Sequence, residues 1–234
     1  MGLLKKFWRR VTKPRCNICG GQKFARGPND RLSPSGKHPR CKRCHSYERH
    51  RVFRQIFLGL GPNRLRTLRC LQFSQDPTVD RRWFHSHELS VFNRSNSLDL
   101  QQIDRPDGSY DVIVCNHVLE HVPDYRAALR ELSRILSARG FLFLSFPDPC
   151  HVERTTDWGY PDPNLHDHYR HFGRDVEDVF RQELPDCHVV AVTTTDPVTG
   201  ISDLAYVVTR SDDWRRRLGN LKLQKRVCAQ PSAA

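Results

Sequence analysis

Residues 110–147 constrain the fold more than any other stretch of the chain. Tyr110-Asp111-Val112-Ile113-Val114-Cys115-Asn116 and Gly140-Phe141-Leu142-Phe143-Leu144-Ser145-Phe146-Pro147 are short apolar runs bounded by turn residues. Between them Tyr125, Ala128, Leu129, Leu132, Ile135 and Leu136 recur at three- and four-residue spacing, with Asp124 placed to cap a helix and Gly140 to stop it. Apolar strand, amphipathic helix, apolar strand is the βαβ unit of a parallel sheet covered on both faces. In an open sheet of this kind ligands bind beyond the carboxyl ends of the strands. The segment 116–123 and the loop after Phe146 are therefore expected to face a site.

The 234 residues suit one domain of moderate size with a small appendage. No apolar run approaches bilayer length, and Met1 to Val11 is basic without the apolar region of a signal peptide, which predicts a cytoplasmic protein with no membrane span. The formal charge of +12 is concentrated at one end, because residues 1–50 hold fourteen Lys or Arg against two acids, Asp30 and Glu48. The remainder balances to zero. Nine cysteines, some of them (Cys70, Cys115) inside strand-like runs, do not read as a disulfide framework.

Four cysteines read differently. Cys16-Asn17-Ile18-Cys19 and Cys41-Lys42-Arg43-Cys44 are two Cys-x-x-Cys knuckles separated by a polar spacer rich in Gly, Pro and Ser. Each knuckle presents two sulfurs to one tetrahedral ion, so Cys16, Cys19, Cys41 and Cys44 are predicted to hold a structural Zn2+ whose binding supplies folding energy the spacer lacks. Lys37, Arg40, Lys42, Arg43 and Arg49 either neutralise phosphates, which makes RNA a candidate partner, or soften the charge of a thiolate–zinc centre. The expected organisation is a basic arm and zinc ribbon over 1–50, a main domain over 51–210 and a basic tail over 211–234. Met1 to Arg15 reads as a weakly amphipathic arm, docked on the domain or touching an anionic surface, and the tail as a solvated helix.

Along the main domain, His50 to Leu60 is helical in pattern, Arg66 to Phe73 and Leu89 to Phe92 are strand-like, and Asp175 to Leu184 is helical. Val189 to Thr195 and Leu204 to Thr209 flank a turn at Asp196-Pro197-Val198-Thr199-Gly200, a hairpin signature. With Ser97-Leu98-Asp99-Leu100 and the run Asp111 to Asp124, its most specific part, the stretch 66–209 resembles a class I S-adenosylmethionine-dependent methyltransferase of the type 11 group. The resemblance implies an α/β, Rossmann-like seven-stranded sheet with helices on both faces, joined here to the small N-terminal zinc ribbon. It also implies S-adenosylmethionine as cofactor, with Phe73, Ser74, Asp99, Leu100, Asn116, His117 and Val118 around it.

The chain departs from that family where the first strand ends. The expected glycine-rich loop is replaced by Phe73-Ser74-Gln75-Asp76-Pro77-Thr78, in which Pro77 is placed to open a helix whose free N–H groups receive the cofactor carboxylate. Asp76 is an awkward neighbour there unless it pairs with the cofactor's amino group. The acid expected at the end of the second strand is also missing, since Glu88 precedes the strand candidate, leaving Asn93 or Asn96 as weaker substitutes. Candidates for acid/base chemistry are His117, Glu120, His121, His168 and Tyr169, although Glu120 and His121 also suit a role in orienting their loop and capping backbone. Asp148, Trp158, His166, His168, Tyr169 and Arg170 lie in a polar insertion that is expected to contact the acceptor, with Arg170 free to grip an anion and His166, His168 and His171 as conceivable metal ligands. Two functions fit: methyl transfer to a sugar or lipid-linked glycan, a small metabolite or RNA, or a cofactor-free scaffold that binds nucleic acid or an anionic partner.

Overall fold

The structure, a computed structural model, describes residues 13–221. The arm over 1–12 and the tail beyond residue 221 lie outside the described residues. In chain order the elements are β1 (Phe24–Ala25), β2 (Arg40–Cys41), α1 (Glu48–Leu60), β3 (Arg69–Phe73), β4 (Ser86–Ser90), β5 (Tyr110–Asn116), α2 (Tyr125–Ile135), β6 (Leu136–Ser145), β7 (Thr156–Asp162), β8 (His168–His171), α3 (Val176–Glu183), β9 (His188–Thr195), β10 (Ser202–Thr209) and α4 (Asp212–Asn220).

The central sheet runs β4-β3-β5-β6-β10-β9. The first four strands are parallel, and the β9–β10 hairpin is antiparallel to β6 and to itself. Each face carries its own core. Leu129, Leu132 and Ile135 of α2 and Val179 and Phe180 of α3 bury one face, while Phe53, Ile56 and Phe57 of α1 and Trp214 and Leu218 of α4 bury the other. The α/β methyltransferase architecture with two covered faces is as expected.

The sheet has six strands among the described residues, not the seven expected. No regular helix lies between β3 and β4 or between β4 and β5, so Pro77 opens no helix and provides no helix N-terminus. Both segments explain themselves. Residues 74–85 are few for a crossover with a helix, and residues 91–109 hold Asn, Ser, Asp, Arg, Pro and Gly without apolar periodicity. The shorter segment instead buries Val79 and Phe84 against the α1 face. Arg54 of α1 fastens it by donating to the Pro77 carbonyl at 2.8 Å while its guanidinium lies 4.5 Å above the Trp83 ring.

Two further expectations are corrected by packing. Gly140 does not stop α2; it sits inside β6, where a Cβ would fall 2.5 Å from the Asp111 carbonyl oxygen. Gly there permits a close strand approach. The segment after Ser211 is not a solvated helix: α4 docks, with Trp214 buried 4.8 Å from Phe141 and its Nε1 donating to the Arg139 carbonyl. Asp124 caps α2 as expected, its carboxylate accepting from the Ala127 N–H at 2.9 Å. Among the described residues no helix is long and apolar enough to cross a membrane.

At the start of α1, His50 Nδ1 accepts the Tyr47 backbone N–H at 3.1 Å and so serves as a neutral cap. Burial, with Arg49 beside it, pushes this imidazole down to about 3. Above the ordinary imidazole value near 6.5 neither folded nor unfolded chain is protonated here. Below it the unfolded chain takes up a proton that the folded chain refuses. Stability should therefore fall as pH drops from about 6.5 toward 3, by up to about 1.4 kcal/mol per pH unit from this group. Denaturant titrations at pH 7, 6 and 5 will show the slope, and His50→Gln should flatten it.

Candidate functional site

The carboxyl ends of β3, β4 and β5 open onto one cavity of about 960 Å³. Phe73 and Ser74 line it from β3, Ser90, Val91 and Phe92 from β4, and His117 and Val118 from β5. Leu98, Asp99, Leu100 and Gln101 form one wall, and His121, His166 and Tyr169 line another part. Six of the seven expected cofactor residues are thus brought together.

The glycine-free loop is accommodated by Ser74 itself. Its φ is +68°, the left-handed conformation that glycine usually provides, and its N–H donates to the Ser90 carbonyl at 2.9 Å. Gln72 holds the loop from below, donating to the carbonyls of Ser74 and Asp76. Asp76 does not oppose an incoming carboxylate, because its own carboxylate accepts from the Thr78 N–H at 2.7 Å and from the Asn116 amide at 3.1 Å. That contact removes Asn116 from the cavity wall: its amide also reaches Thr78 and accepts from the Ser145 hydroxyl. Since left-handed serine is strained and glycine is not, Ser74→Gly should raise stability by up to about 1 kcal/mol, read as a shift in the denaturation midpoint with unchanged slope.

Glu88 lies in the middle of β4, and its carboxylate is taken by Arg105 and the Tyr110 hydroxyl. Asn96 donates to the Leu89 carbonyl. Neither serves the cavity. Phe92 lies at the end of β4, is 84% exposed and lines the cavity. The sequence places Phe92 only at the end of a strand; an aromatic ring just before the polar run Asn93-Arg94-Ser95-Asn96 was the signal for a site residue. Asp99 lines the wall with its carboxylate accepting from Gln101, and Leu100 beside it is buried.

The insertion after Pro147 divides. His166 and Tyr169 reach the cavity, whereas Asp148, Trp158, His168 and Arg170 are not among its lining residues. Asp148 accepts from the Cys150 N–H, and Trp158 donates to the His168 carbonyl. Arg170 is not free to grip an anion. Only 1% exposed, it pairs with Asp157 at 2.7 Å, donates to the carbonyls of Leu119, Val122 and Pro123, and stacks 4.6 Å over Tyr125. Its guanidinium is taken up by Asp157 of β7 and by clamping β8 onto the loop after β5.

That loop holds Glu120, 1% exposed, with no hydrogen bond reaching either carboxylate oxygen; His117 Nδ1 approaches to 3.3 Å. The expectation that Glu120 caps backbone therefore fails. His121 and His168 meet edge to face at 4.7 Å, and burial pushes the His168 imidazole down while Glu120 pulls it up. His166 and His171 each lie 6.0 Å from the His168 ring.

At the other end of the chain the four ribbon cysteines converge. Sγ of Cys16 lies 3.7 Å from that of Cys44, and Cys19 3.6 Å from Cys41. All four lie within 4.8 Å of one another. Gly20, at φ +74°, closes the first knuckle, and a Cβ on Gly21 would fall 3.1 Å from the Cys41 sulfur. Burial pushes the Cys19 thiol up to about 12.

Residues 44–182 match the family model described as Methyltransferase domain, more than half of the chain. The chain belongs to this methyltransferase family. The match identifies a methyltransferase and does not name its acceptor. None of the curated proteins matches it. Among similar solved structures is an S-adenosylmethionine-dependent methyltransferase from Thermotoga maritima (14% identity, 68% of this chain and 89% of that one, TM-score 0.41). Another is the Burkholderia thailandensis 1,6-didemethyltoxoflavin-N1-methyltransferase with bound 1,6-didemethyltoxoflavin and S-adenosylhomocysteine (14%, 68% and 78%, 0.42). A third is a methyltransferase from Aquifex aeolicus (11%, 67% and 87%, 0.42).

Proposed function

We propose that the cavity at the ends of β3, β4 and β5 holds S-adenosylmethionine beside a small-molecule or glycan acceptor. The observation that carries this reading is Ser74. Its left-handed turn keeps the cavity open where the family's glycines are missing, and Asp76 is tied back by Thr78 and Asn116. A volume of about 960 Å³ is at the upper end of small-ligand sites and leaves room for two ligands.

Asp99 and Leu100 bracket the adenosine, with Phe92 offering an aromatic face, while Phe73, Ser74, His117 and Val118 surround the methionine part. When bound, the cofactor supplies an electrophilic methyl group on a sulfonium. The chain's part is to align an acceptor nucleophile entering past His166 and Tyr169, and proximity with in-line geometry supplies much of the rate. Asn116 serves by locking the Ser74–Thr78 loop and Arg170 by locking the loop over 119–123. Both are positioning residues.

The four cysteines hold a structural Zn2+ on this reading. Tetrahedral Zn–S bonds of about 2.3 Å put sulfurs about 3.8 Å apart, close to the 3.6 and 3.7 Å separations present. The set is closed and lies off the cavity lining, so the ion takes no part in methyl transfer. The basic ribbon is left as a surface for an anionic partner, and the compartment proposed is the cytoplasm.

Calorimetric titration with S-adenosylmethionine and S-adenosylhomocysteine tests the cofactor assignment. One site in the micromolar range is expected, and Asp99→Ala should weaken it roughly tenfold or more, about 1.4 kcal/mol of a charge-assisted contact. Absence of heat at millimolar ligand would defeat the assignment. Unchanged affinity in the variant would remove Asp99 from the site.

A further inference from the structure

We propose that Glu120, His121 and His168 form a second metal site, separate from the cysteine cluster, for a first-row divalent cation such as Mn2+, Fe2+ or Co2+. One carboxylate oxygen and two imidazole nitrogens lie within 4.8 Å of one another, as ligands around a single ion do. The triplet comes from two elements, the loop after β5 and strand β8. Arg170 holds these together through the carbonyls of Leu119, Val122 and Pro123.

Glu120 is the observation that calls for a cation. An ionised carboxylate this buried is costly unless paired, and buried polar atoms rarely lack a hydrogen bond. Both of its oxygens lack one, and so does the buried Nδ1 of His168. His117 Nδ1, at 3.3 Å, makes no hydrogen bond to the carboxylate. A cation between Glu120 and His168 gives a carboxylate oxygen and an imidazole nitrogen the partner they lack. His121 has the orientation of a ligand with outer-shell support, its Nδ1 facing the Asp167 carbonyl at 3.3 Å. A carbonyl there fixes the tautomer and leaves Nε2 with a lone pair.

Two imidazoles and one carboxylate suit borderline divalent ions, in contrast to the thiolates of the ribbon, which select zinc. Three protein ligands leave coordination positions open. Because His121 also lines the cavity, the ion lies at its wall, where an oxygen of the acceptor, a hydroxyl or carboxylate, is the ligand chemistry it takes. That last step rests on the methyltransferase reading of the cavity; the ion site itself does not.

The test is Mn2+ titration of the full-length, zinc-loaded protein, followed by loss of the free-Mn2+ electron paramagnetic resonance signal. One Mn2+ per chain is expected, with a rise in melting temperature on binding. Glu120→Gln and His168→Ala should each weaken binding roughly tenfold or more, and Glu120→Gln should melt no lower than the metal-free parent. His121 is exposed, so His121→Ala keeps the test readable if a buried variant misfolds, and it too should lose affinity. His171→Ala, outside the triplet, should not. No binding at millimolar Mn2+, or equal affinity in folded Glu120→Gln or His121→Ala, overturns the site. S-adenosylhomocysteine titrated into the same samples separates the two claims. Cofactor binding without Mn2+ binding defeats the ion site alone, and Mn2+ binding without cofactor binding supports the ion site while defeating the cavity assignment.

Discussion

Replacing Arg51 with methionine should destabilise the protein by roughly 3–5 kcal/mol, the cost of leaving one partner of a buried ion pair alone. Arg51 and Asp196 are both fully buried, and the guanidinium engages both carboxylate oxygens, at 2.7 and 2.8 Å. Burial works against both charges, yet Arg51 and Thr199 together hold Asp196 below the ordinary carboxylate range. Remove Arg51 and that carboxylate keeps only Thr199 and the Val198 N–H. Against a total of about 5–15 kcal/mol this is a large fraction. It should lower the melting temperature on the order of 10 °C.

Asp196→Asn should cost a comparable amount, but the two variants should differ in one respect. Arg51 also donates to the carbonyls of Ser46 and Pro39, which flank the second cysteine knuckle. Asp196 sits in the β9–β10 turn; its carboxylate reaches the ribbon through Arg51, and the Thr199 it holds accepts one hydrogen bond from Ser35 of the spacer. Arg51→Met should therefore loosen zinc as well as the fold, whereas Asp196→Asn should chiefly affect the fold. Equal zinc retention in both would show that the Arg51 contacts to the ribbon carry no weight, and a double variant no worse than either single one would measure the coupling.

Legibility in the sequence followed the range of the interactions. The unit β5–α2–β6 could be read because its periods, its Asp124 cap and its apolar runs are local. The cysteine knuckles could be read for the same reason. The missing seventh strand and the missing helix after β3 were not, because the family frame supplied elements for which residues 74–85 are short and residues 91–109 lack apolar periodicity. Ser74 looked like a defect until its backbone conformation was visible; a left-handed residue has no signature in a serine. Arg170 looked like a free cation because its four acceptors come from residues distant in sequence. The same gap hid Glu120, whose interest lies in what fails to bond to it. Composition can nominate such a carboxylate, and only the surrounding atoms show that no hydrogen bond reaches it.

If the four cysteines hold zinc as proposed, removing the ion should have the largest effect of all. Residues 13–46 bury few apolar side chains, chiefly Cys16 and Cys41, and their two strands contain two residues each. Structural zinc in small domains contributes on the order of 10–16 kcal/mol of folding free energy, far more than these contacts can replace. Burial pushes the Cys19 thiol up to about 12, so zinc must displace its proton to bind. A chelator, or acid, should thus unfold the ribbon. Trypsin should then cut at Arg26, Arg31 and Lys37 in the spacer, while β3 to β10 keep their amide protection. No ribbon residue lines the cavity, so S-adenosylhomocysteine affinity should change only through α1, whose Arg54 fastens the loop after β3. Protease resistance that survives chelation would show that the four cysteines hold the ribbon without metal. Loss of cofactor binding in step with zinc would show that Arg54 transmits the ribbon's state to the Ser74 turn.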